Sequence, residues 1–272
     1  MKCSTRRPLL RFLVPLAIVL LFSRCGIAGQ EGLNELRGQL QKQIVEANVR
    51  SFAVADFLTP DGKPSDLGWY LAAKLSDGWL EPGQGFRVLD RDEIHDTRVP
   101  PGDARSAEVL QRIGREWGVA AIVTGTVELS PEHYVLTANV LRVSDASVVA
   151  TVSQRIPHSR ILDLLSPQGL SPDGASLLHG GANGTGVPAC VYCPIPGYSE
   201  KARKVRMQST VLLNVTVSTD GRAAKISVLK NPGYGLTEKA IENVSEWNFK
   251  PAIGKEGKPV PVIVPVEVTF RM

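Results

Sequence analysis

The strongest constraint on the fold is an alternation of residue types close to the C-terminus. Apolar residues occupy every even position of this segment, namely Val260, Val262, Val264, Val266, Val268 and Phe270. Since successive side chains of a strand point to opposite faces, the pattern predicts a strand with one buried face. The same period occurs upstream at Val211, Leu213, Val215 and Val217. Two such strands need a further layer to cover their apolar face.

A turn motif and a helical segment connect these two strands. Asp220 and Gly221 tolerate positive φ and form the strongest short signal for a β-hairpin. Residues 236–246 show helical spacing, and residues 199–204 indicate a shorter helix before the first strand. The order over residues 194–272 is therefore α-β-β-α-β, which predicts helices on one face of a small antiparallel sheet.

This stretch resembles the C-terminal domain of TonB-family proteins. The resemblance rests on Tyr198 before the first helix, on the hairpin motif, and on the run WNFKPA that begins at Trp247. The family commonly carries Tyr-Pro where this chain has Tyr198-Ser199. The resemblance implies structural roles for Tyr198, Asp220, Gly221, Trp247, Phe249 and Pro251. It also implies that a partner peptide is bound as an added strand beside the last strand.

Two prolines restrict how the last strand can take part in such binding. Pro261 and Pro265 have the same parity, so their missing N–H groups lie on one edge of the strand. The even residues are therefore expected to bond inward, which leaves the odd edge outermost. The candidate partner-binding residues are Pro261, Ile263, Pro265 and Glu267. Two outcomes stay open: the edge is protected against strand addition, or it accepts a partner through its carbonyls and through Ile263 or Glu267.

A larger folded domain is predicted over residues 49–160. Strand patterns occur at residues 52–57, 86–89 and 120–127, with helical patterns between them and a closing hairpin after them. Strands that interleave with helices and end in a β-meander predict an α/β sandwich. The whole chain is then of the α+β class, with this sandwich followed by the small C-terminal domain.

This region is similar to the FlgO/CsgG-type domains of bacterial envelope proteins and to the N-terminal domain of TolB. The shared segments are VADF, SDLGWYLAAKLSDGWL, FRVLDRDEI and GVAAIVTGTVE. Their polar residues include Asp56, Asp90, Arg91 and Asp92, for which capping and turn formation at strand ends are expected rather than a binding site. The resemblance implies a place in the cell envelope.

Residues 1–28 have the features of an export signal. Basic residues precede the apolar run 12–22, which has the length of a signal-peptide core. Small residues precede Gly29, where cleavage is expected, and cleavage would place the protein in the periplasm. Two alternatives stay open, a lipoprotein acylated at Cys25 and an uncleaved inner-membrane anchor. Residues 29–48 predict an amphipathic helix packed on the following domain.

Residues 161–193 are rich in Gly, Pro and Ser and predict a flexible linker between the two domains. The linker ends in Cys190 and Cys193. In an exported protein a local disulfide is expected for this pair, while free thiols and a redox or metal role stay open. A zinc site would need two further ligands, and the four histidines are scattered singly.

Nothing in the sequence indicates an enzyme. It contains no G-x-S-x-G elbow, no H-E-x-x-H helix and no phosphate-binding loop. We therefore expect no catalytic residues, no metal, no cofactor and no small-molecule substrate. The net charge of +4 is not gathered into a dense basic run, which argues against binding to nucleic acid.

These observations predict an exported, non-catalytic envelope protein. Its TonB-like domain would bind envelope proteins, among them an outer-membrane receptor or assembly, and its N-terminus could associate with a membrane. One alternative is a TonB-type energy transducer for outer-membrane transport, with the N-terminal segment retained as an anchor. The short linker argues against this alternative, since transducers carry a long Pro/Lys-rich segment that extends across the periplasm. A second alternative is a thiol oxidoreductase that uses Cys190 and Cys193.

Overall fold

The structure is a computed structural model that describes residues 28–80, 85–94, 107–169, 178–182 and 184–272. The predicted signal segment and Cys25 lie outside the described residues. Among the residues that are described, no helix has the length and apolar character needed to cross a membrane.

A five-stranded mixed sheet forms the centre of the N-terminal domain. Its strands are β1 (Ser51–Val54), β2 (Arg87–Val88), β3 (Ala121–Leu129), β4 (His133–Arg142) and β5 (Val148–Pro157). Their order across the sheet is β2-β1-β3-β4-β5. β1 runs parallel to both of its neighbours, whereas β3, β4 and β5 form an antiparallel meander. This is the α/β arrangement that the sequence predicts.

Helices cover both faces of this sheet. They are α1 (Ala28–Glu46), α2 (Asp66–Asp77), α3 (Ala107–Glu116) and α4 (Arg160–Leu165), together with a 3-10 turn at Arg91–Glu93. α1 lies against β5 and α2, and its apolar stripe of Leu33, Leu36, Leu40 and Ile44 is buried. On the opposite face, Val109 and Ile113 of α3 pack on a second cluster that includes Ile122 of β3.

The C-terminal domain follows with a second sheet. Its elements are β6 (Leu178–His179), β7 (Ala189–Tyr192), α5 (Glu200–Lys204), β8 (Ser209–Val217), β9 (Ala223–Lys230), α6 (Leu236–Val244), β10 (Asn248–Lys250) and β11 (Val262–Phe270). Four strands pair in the order β6-β11-β8-β9, and β7 pairs with β10 in a separate ribbon.

The α+β class and the predicted register of the last strand are both confirmed. Along β11 the even residues are buried and the odd residues are not, because the even side chains face the core. The helix and strand order α5-β8-β9-α6-β11 agrees with the prediction, with β10 inserted between α6 and β11. The stretch predicted as a linker, residues 161–193, contributes β6 and β7 to the C-terminal domain. Strands this short carry no periodic pattern that the sequence could show.

The two domains share a continuous hydrophobic core. Polar contacts reinforce the seam between them, which we call the domain seam. Lys74 Nζ of α2 lies 2.7 Å from Glu242 Oε1 of α6. Arg160 Nε of α4 donates to the carbonyl oxygen of Ser245 at 2.8 Å and so satisfies an acceptor at the end of α6. The C-terminal sheet is therefore held in one orientation against the N-terminal domain.

Candidate functional site

The backbone of β11 has a defined inner and outer edge. β11 pairs with β8 along its whole length, from Val262 opposite Val217 to Phe270 opposite Ser209. On the other side, the amide of Gly180 donates to the carbonyl oxygen of Ile263 at 3.1 Å. The N–H and C=O groups of one strand residue point to the same edge. This bond therefore shows that the backbone groups of the odd residues point away from β8.

The start of the outer edge is already occupied. β6 pairs in parallel with Val262 and Ile263, and a side chain at Gly180 would lie only 2.7 Å from Val264 Cγ1. The carbonyl of Ile263, which the sequence offered to a partner, therefore has a partner within the chain. Of the two outcomes that the sequence left open, protection against strand addition describes the edge at Ile263. Pro261 directly precedes β11.

The remainder of the outer edge, from Pro265 to Phe270, pairs with no described residue. Pro265 presents only a carbonyl there, whereas Glu267 and Thr269 present both a donor and an acceptor. Their side chains are exposed, except that Thr269 Oγ1 lies 3.1 Å from Thr210 Oγ1 on β8. We call residues 265–270 the open edge.

The opposite edge of the same sheet is covered by the N-terminal domain. The amide of Val228 on β9 donates to Asp66 Oδ1 at 3.3 Å. Arg160 Nη2 donates to the carbonyl of Ala223 at 3.3 Å, and Lys225 Nζ donates to the carbonyl of Pro167. The β9 edge is thus engaged inside the chain.

The residues of the TonB-like motif hold this sheet together. The ring of Tyr198 packs edge-on against Phe270, with ring centroids 5.5 Å apart. Its hydroxyl is buried and has no hydrogen-bond partner among the described residues. Asp220 Oδ1 accepts from the amide of Arg222 at 3.1 Å and closes the turn between β8 and β9. Trp247 is partly buried, and its Nε1 donates to Asn243 Oδ1 at 2.8 Å.

Phe249 and Pro251 fix the β10 side of this motif. The ring of Phe249 is buried and packs 5.9 Å from that of Trp247, centroid to centroid. Pro251 follows β10 directly and ends the ribbon, because it has no amide to continue the ladder. Neither residue belongs to the open edge, since Phe249 lies on β10 and Pro251 follows it.

Cys190 and Cys193 are joined in a disulfide. Cys190 lies on β7, which is exposed along its whole length. The thiol of a redox-active cysteine is usually activated at a helix N-terminus or beside a cation, whereas Cys190 lies on a strand. The disulfide joins two residues three positions apart, which favours a local structural role at the end of β7.

A polar cluster lies at the domain seam. Arg91 pairs with the buried Asp56 and donates from Nη1 to the carbonyl of Val54 at 2.6 Å. Asp90 Oδ1 accepts from the amide of Asp92 at 3.1 Å and caps the 3-10 turn. The capping role expected for Asp90 is confirmed. A role that the sequence did not indicate is the shared contact of Asp90 and Asp92 with Lys201 of α5, at 2.9 and 3.5 Å.

Another polar cluster fastens α4 to the N-terminal sheet. Asp163 Oδ1 accepts from the hydroxyl of Tyr134 at 2.8 Å and lies 2.6 Å from His158 Nδ1. The hydrogen bond to Asp163 raises the pKa of His158. Burial and the neighbouring Asp163 raise the pKa of Tyr134 above its ordinary value. The bonds of this cluster join β4, the segment after β5 and α4.

Two family models match the chain. One, described as FlgO protein, matches residues 34–161, and the other, described as Gram-negative bacterial TonB protein C-terminal, matches residues 194–272. The chain joins a FlgO-type domain to a TonB-type C-terminal domain. Both resemblances drawn from the sequence are confirmed. The protein is accordingly assigned to the Gram-negative cell envelope, with domains of a protein-interaction type.

Three similar solved structures each match less than half of the chain. The LpoB C-terminal domain from Escherichia coli matches at 10% identity and a TM-score of 0.33, covering 45% of this chain and 98% of that one. The TonB C-terminal domain from Pseudomonas aeruginosa matches at 19% identity and a TM-score of 0.27, covering 36% of this chain and 98% of that one. Lipoprotein GNA1162 from Neisseria meningitidis matches at 14% identity and a TM-score of 0.30, covering 46% of this chain and 86% of that one. No curated protein matches the chain.

Proposed function

We propose that the protein is an exported, non-catalytic envelope protein that captures an extended segment of a partner protein along the open edge of its TonB-type domain. The captured segment would pair with the backbone of Glu267 and Thr269 and extend the sheet by one strand. The FlgO-type domain would serve as the platform that fixes the orientation of this sheet.

The proposal rests on a difference in hydrogen bonding between the two edges of the C-terminal sheet. The β9 edge is bonded to the FlgO-type domain through Asp66 and Arg160, whereas the open edge pairs with no described residue. Unpaired strand edges attract other strands. With β6 over the start of β11 and no donor at Pro265, pairing is limited to the last residues of the strand. This limit restricts both the register and the length of the segment that can be bound.

Photo-crosslinking in the producing bacterium tests the proposal. A benzophenone amino acid placed at Thr269 should form a crosslink to another envelope protein, and the same group at the exposed Lys230, at the end of β9, should not. The variant Glu267→Pro removes one outward N–H and should abolish the crosslink from Thr269 while the thermal midpoint stays unchanged. Equal crosslinks from both positions, or a product of twice the chain's mass, would count against a partner protein at this edge.

A TonB-type energy transducer is the second candidate function. The match of residues 194–272 to the TonB family supports it. The mature N-terminus, determined by mass spectrometry of membrane and soluble fractions, separates the two candidates. A start at Gly29 in the soluble fraction supports a free periplasmic protein. An intact Met1 in the inner membrane supports the transducer, and acylation at Cys25 would identify a lipoprotein instead.

A further inference from the structure

A cavity of about 630 Å³ opens at the domain seam. The FlgO-type domain contributes Asp66, Trp69 and Asp77 to its lining, and the TonB-type domain contributes Tyr234 and Glu238. Its volume lies in the range of about 300–1,000 Å³ that is typical of small-molecule sites, which often form between domains.

The lining of this cavity carries an excess of negative charge. Lys201 Nζ lies 2.8 Å from Asp77 Oδ1 and also contacts Asp90 and Asp92 at 2.9 and 3.5 Å. One ammonium group thus faces three carboxylates, so the cluster keeps a net negative charge. The other lining cation, Arg91, is engaged with the buried Asp56 and with backbone.

Glu238 is a buried acid that faces this cavity without a cation of its own. It is the third residue of α6, its exposed fraction is 7%, and no described residue forms an ion pair with it. Its carboxylate accepts a hydrogen bond from its own backbone amide. Lys74, whose charge favours the ionised form of Glu238, is paired with Glu242 at 2.7 Å.

Burial of Glu238 has a marked effect on its protonation. Desolvation raises its pKa to about 7, and the carboxylates of Asp77 and Asp92 add to the rise while Lys74 opposes it. A carboxylate in such a place is costly unless a cation compensates it. A ligand that brings a positive charge into the cavity would supply that compensation.

The remaining lining narrows the chemistry of such a ligand. No group of carboxylate, His or Cys side chains in the described part of the chain has the arrangement to hold a metal ion. Trp69 and Tyr234 line the same cavity, and aromatic rings favour organic cations. The contacts of Lys201 with Asp77 and Asp90 show how carboxylates at this seam hold an alkylammonium group.

We propose that the cavity at the domain seam binds an alkylammonium group, with Glu238 as its direct counter-ion and Trp69 and Tyr234 as its aromatic walls. This site is distinct from the open edge of β11, and a ligand bound there would contact residues of both domains. The ammonium group can come from a free amine or from a lysine side chain, and the two sources are separated by the probes below.

Isothermal titration calorimetry of the full chain tests the proposal, with 1,5-diaminopentane and Nα-acetyl-lysine methylamide as probes. Loss of one charged hydrogen bond should weaken binding to Glu238→Gln by about tenfold. The matched variant Glu256→Gln alters a carboxylate on an exposed turn, 83% accessible, and should bind as the wild type does. Binding of both probes identifies a free amine as sufficient, and binding of the lysine derivative alone identifies a peptide lysine.

A pH series and a fold control complete the test. Binding should strengthen from pH 6 to pH 8, because Glu238 must lose its proton to pair with the ligand. Gln replaces Glu238 without a change of shape and without the buried charge, so circular dichroism of this variant should match the wild type and its thermal midpoint should be equal or higher. Should neither probe bind more tightly to the wild type than to Glu238→Gln, or should Glu256→Gln lose the same affinity, the proposal is overturned.

Discussion

The amide of Phe249 donates to the carbonyl oxygen of Gly221 at 2.8 Å. The backbone of β10 thereby lies directly on the turn between β8 and β9. A Cβ added at Gly221 would be 1.9 Å from the carbonyl oxygen of Phe249, and the φ of Gly221 is +80°. Glycine is required here twice, once for the left-handed backbone and once for the close approach of β10.

Gly221→Ala should therefore lower the free energy of unfolding by at least about 2 kcal/mol, from backbone strain and the clash with Phe249 together. Urea denaturation measures this loss. Gly257 is a matched control, because its φ is +75° and a Cβ there meets nothing within 4 Å. Gly257→Ala should cost only about 1 kcal/mol. Equal losses in the two variants would show that the contact with β10 is unimportant.

Proline substitutions along β11 should report which residues bond inward. Glu267→Pro removes an N–H of the open edge and should change the free energy of unfolding by less than about 1 kcal/mol. Val266→Pro removes an N–H that faces β8, along with a buried side chain, and should cost about 3 kcal/mol or more. Urea denaturation of the two variants measures both changes in the free energy of unfolding. A reversed order of the two losses would mean that the parity of the strand is misassigned.

The aromatic pair of Phe249 on β10 and Trp247 just before it offers a third comparison. Phe249 is buried, with 9% of its surface exposed, and Phe249→Ala should cost about 3–5 kcal/mol. Trp247 is only partly buried, so Trp247→Ala should cost less, although it is the larger side chain. Thermal unfolding of the two variants measures this order. A larger loss for Trp247→Ala would place its ring deeper in the core than the structure does.

Much of the TonB-type domain was predictable because a strand with one buried face has apolar residues at every second position of its sequence. The valines of β11 predict its register, and the parity of Pro261 and Pro265 predicts its outer edge. β6 was not predictable, since two residues such as Leu178 and His179 carry no period. The covered state of the β9 edge depends on Asp66, a residue of the other domain, and no local pattern reports such a contact.

The cluster at the domain seam was missed for a similar reason. Lys201 lies in a short charged helix, where a lysine is normally solvated, and its partners are remote in the sequence. Asp90 and Asp92 were expected to cap and turn, which explains one contact of Asp90 but not its second contact with Lys201. Glu238 occurs in an amphipathic helix, and its burial arises only from the packing of one domain on the other.

The last prediction concerns the dependence of stability on pH. His158 Nδ1 lies 2.6 Å from Asp163 Oδ1, and its Nε2 lies 3.0 Å from the carbonyl oxygen of Ser130. Both neighbours are acceptors, so the imidazolium can donate to both, whereas the neutral ring can donate to only one. The hydrogen bond to Asp163 accordingly raises the pKa of His158 above its ordinary value of 6.5.

A raised pKa in the folded state fixes the direction of the effect. The stabilisation is complete below pH 6.5 and is lost as the pH rises through the folded-state pKa of His158. The thermal midpoint of the protein should therefore decrease as the pH is raised from 6 to 8, because the stabilisation from this contact is lost. His158→Gln should remove that part of the pH dependence, while His133→Gln, at the start of β4, should retain it. An NMR titration that places the pKa of His158 below 6.5, or a pH profile unchanged in His158→Gln, would contradict the assignment of a charged His158 to this cluster.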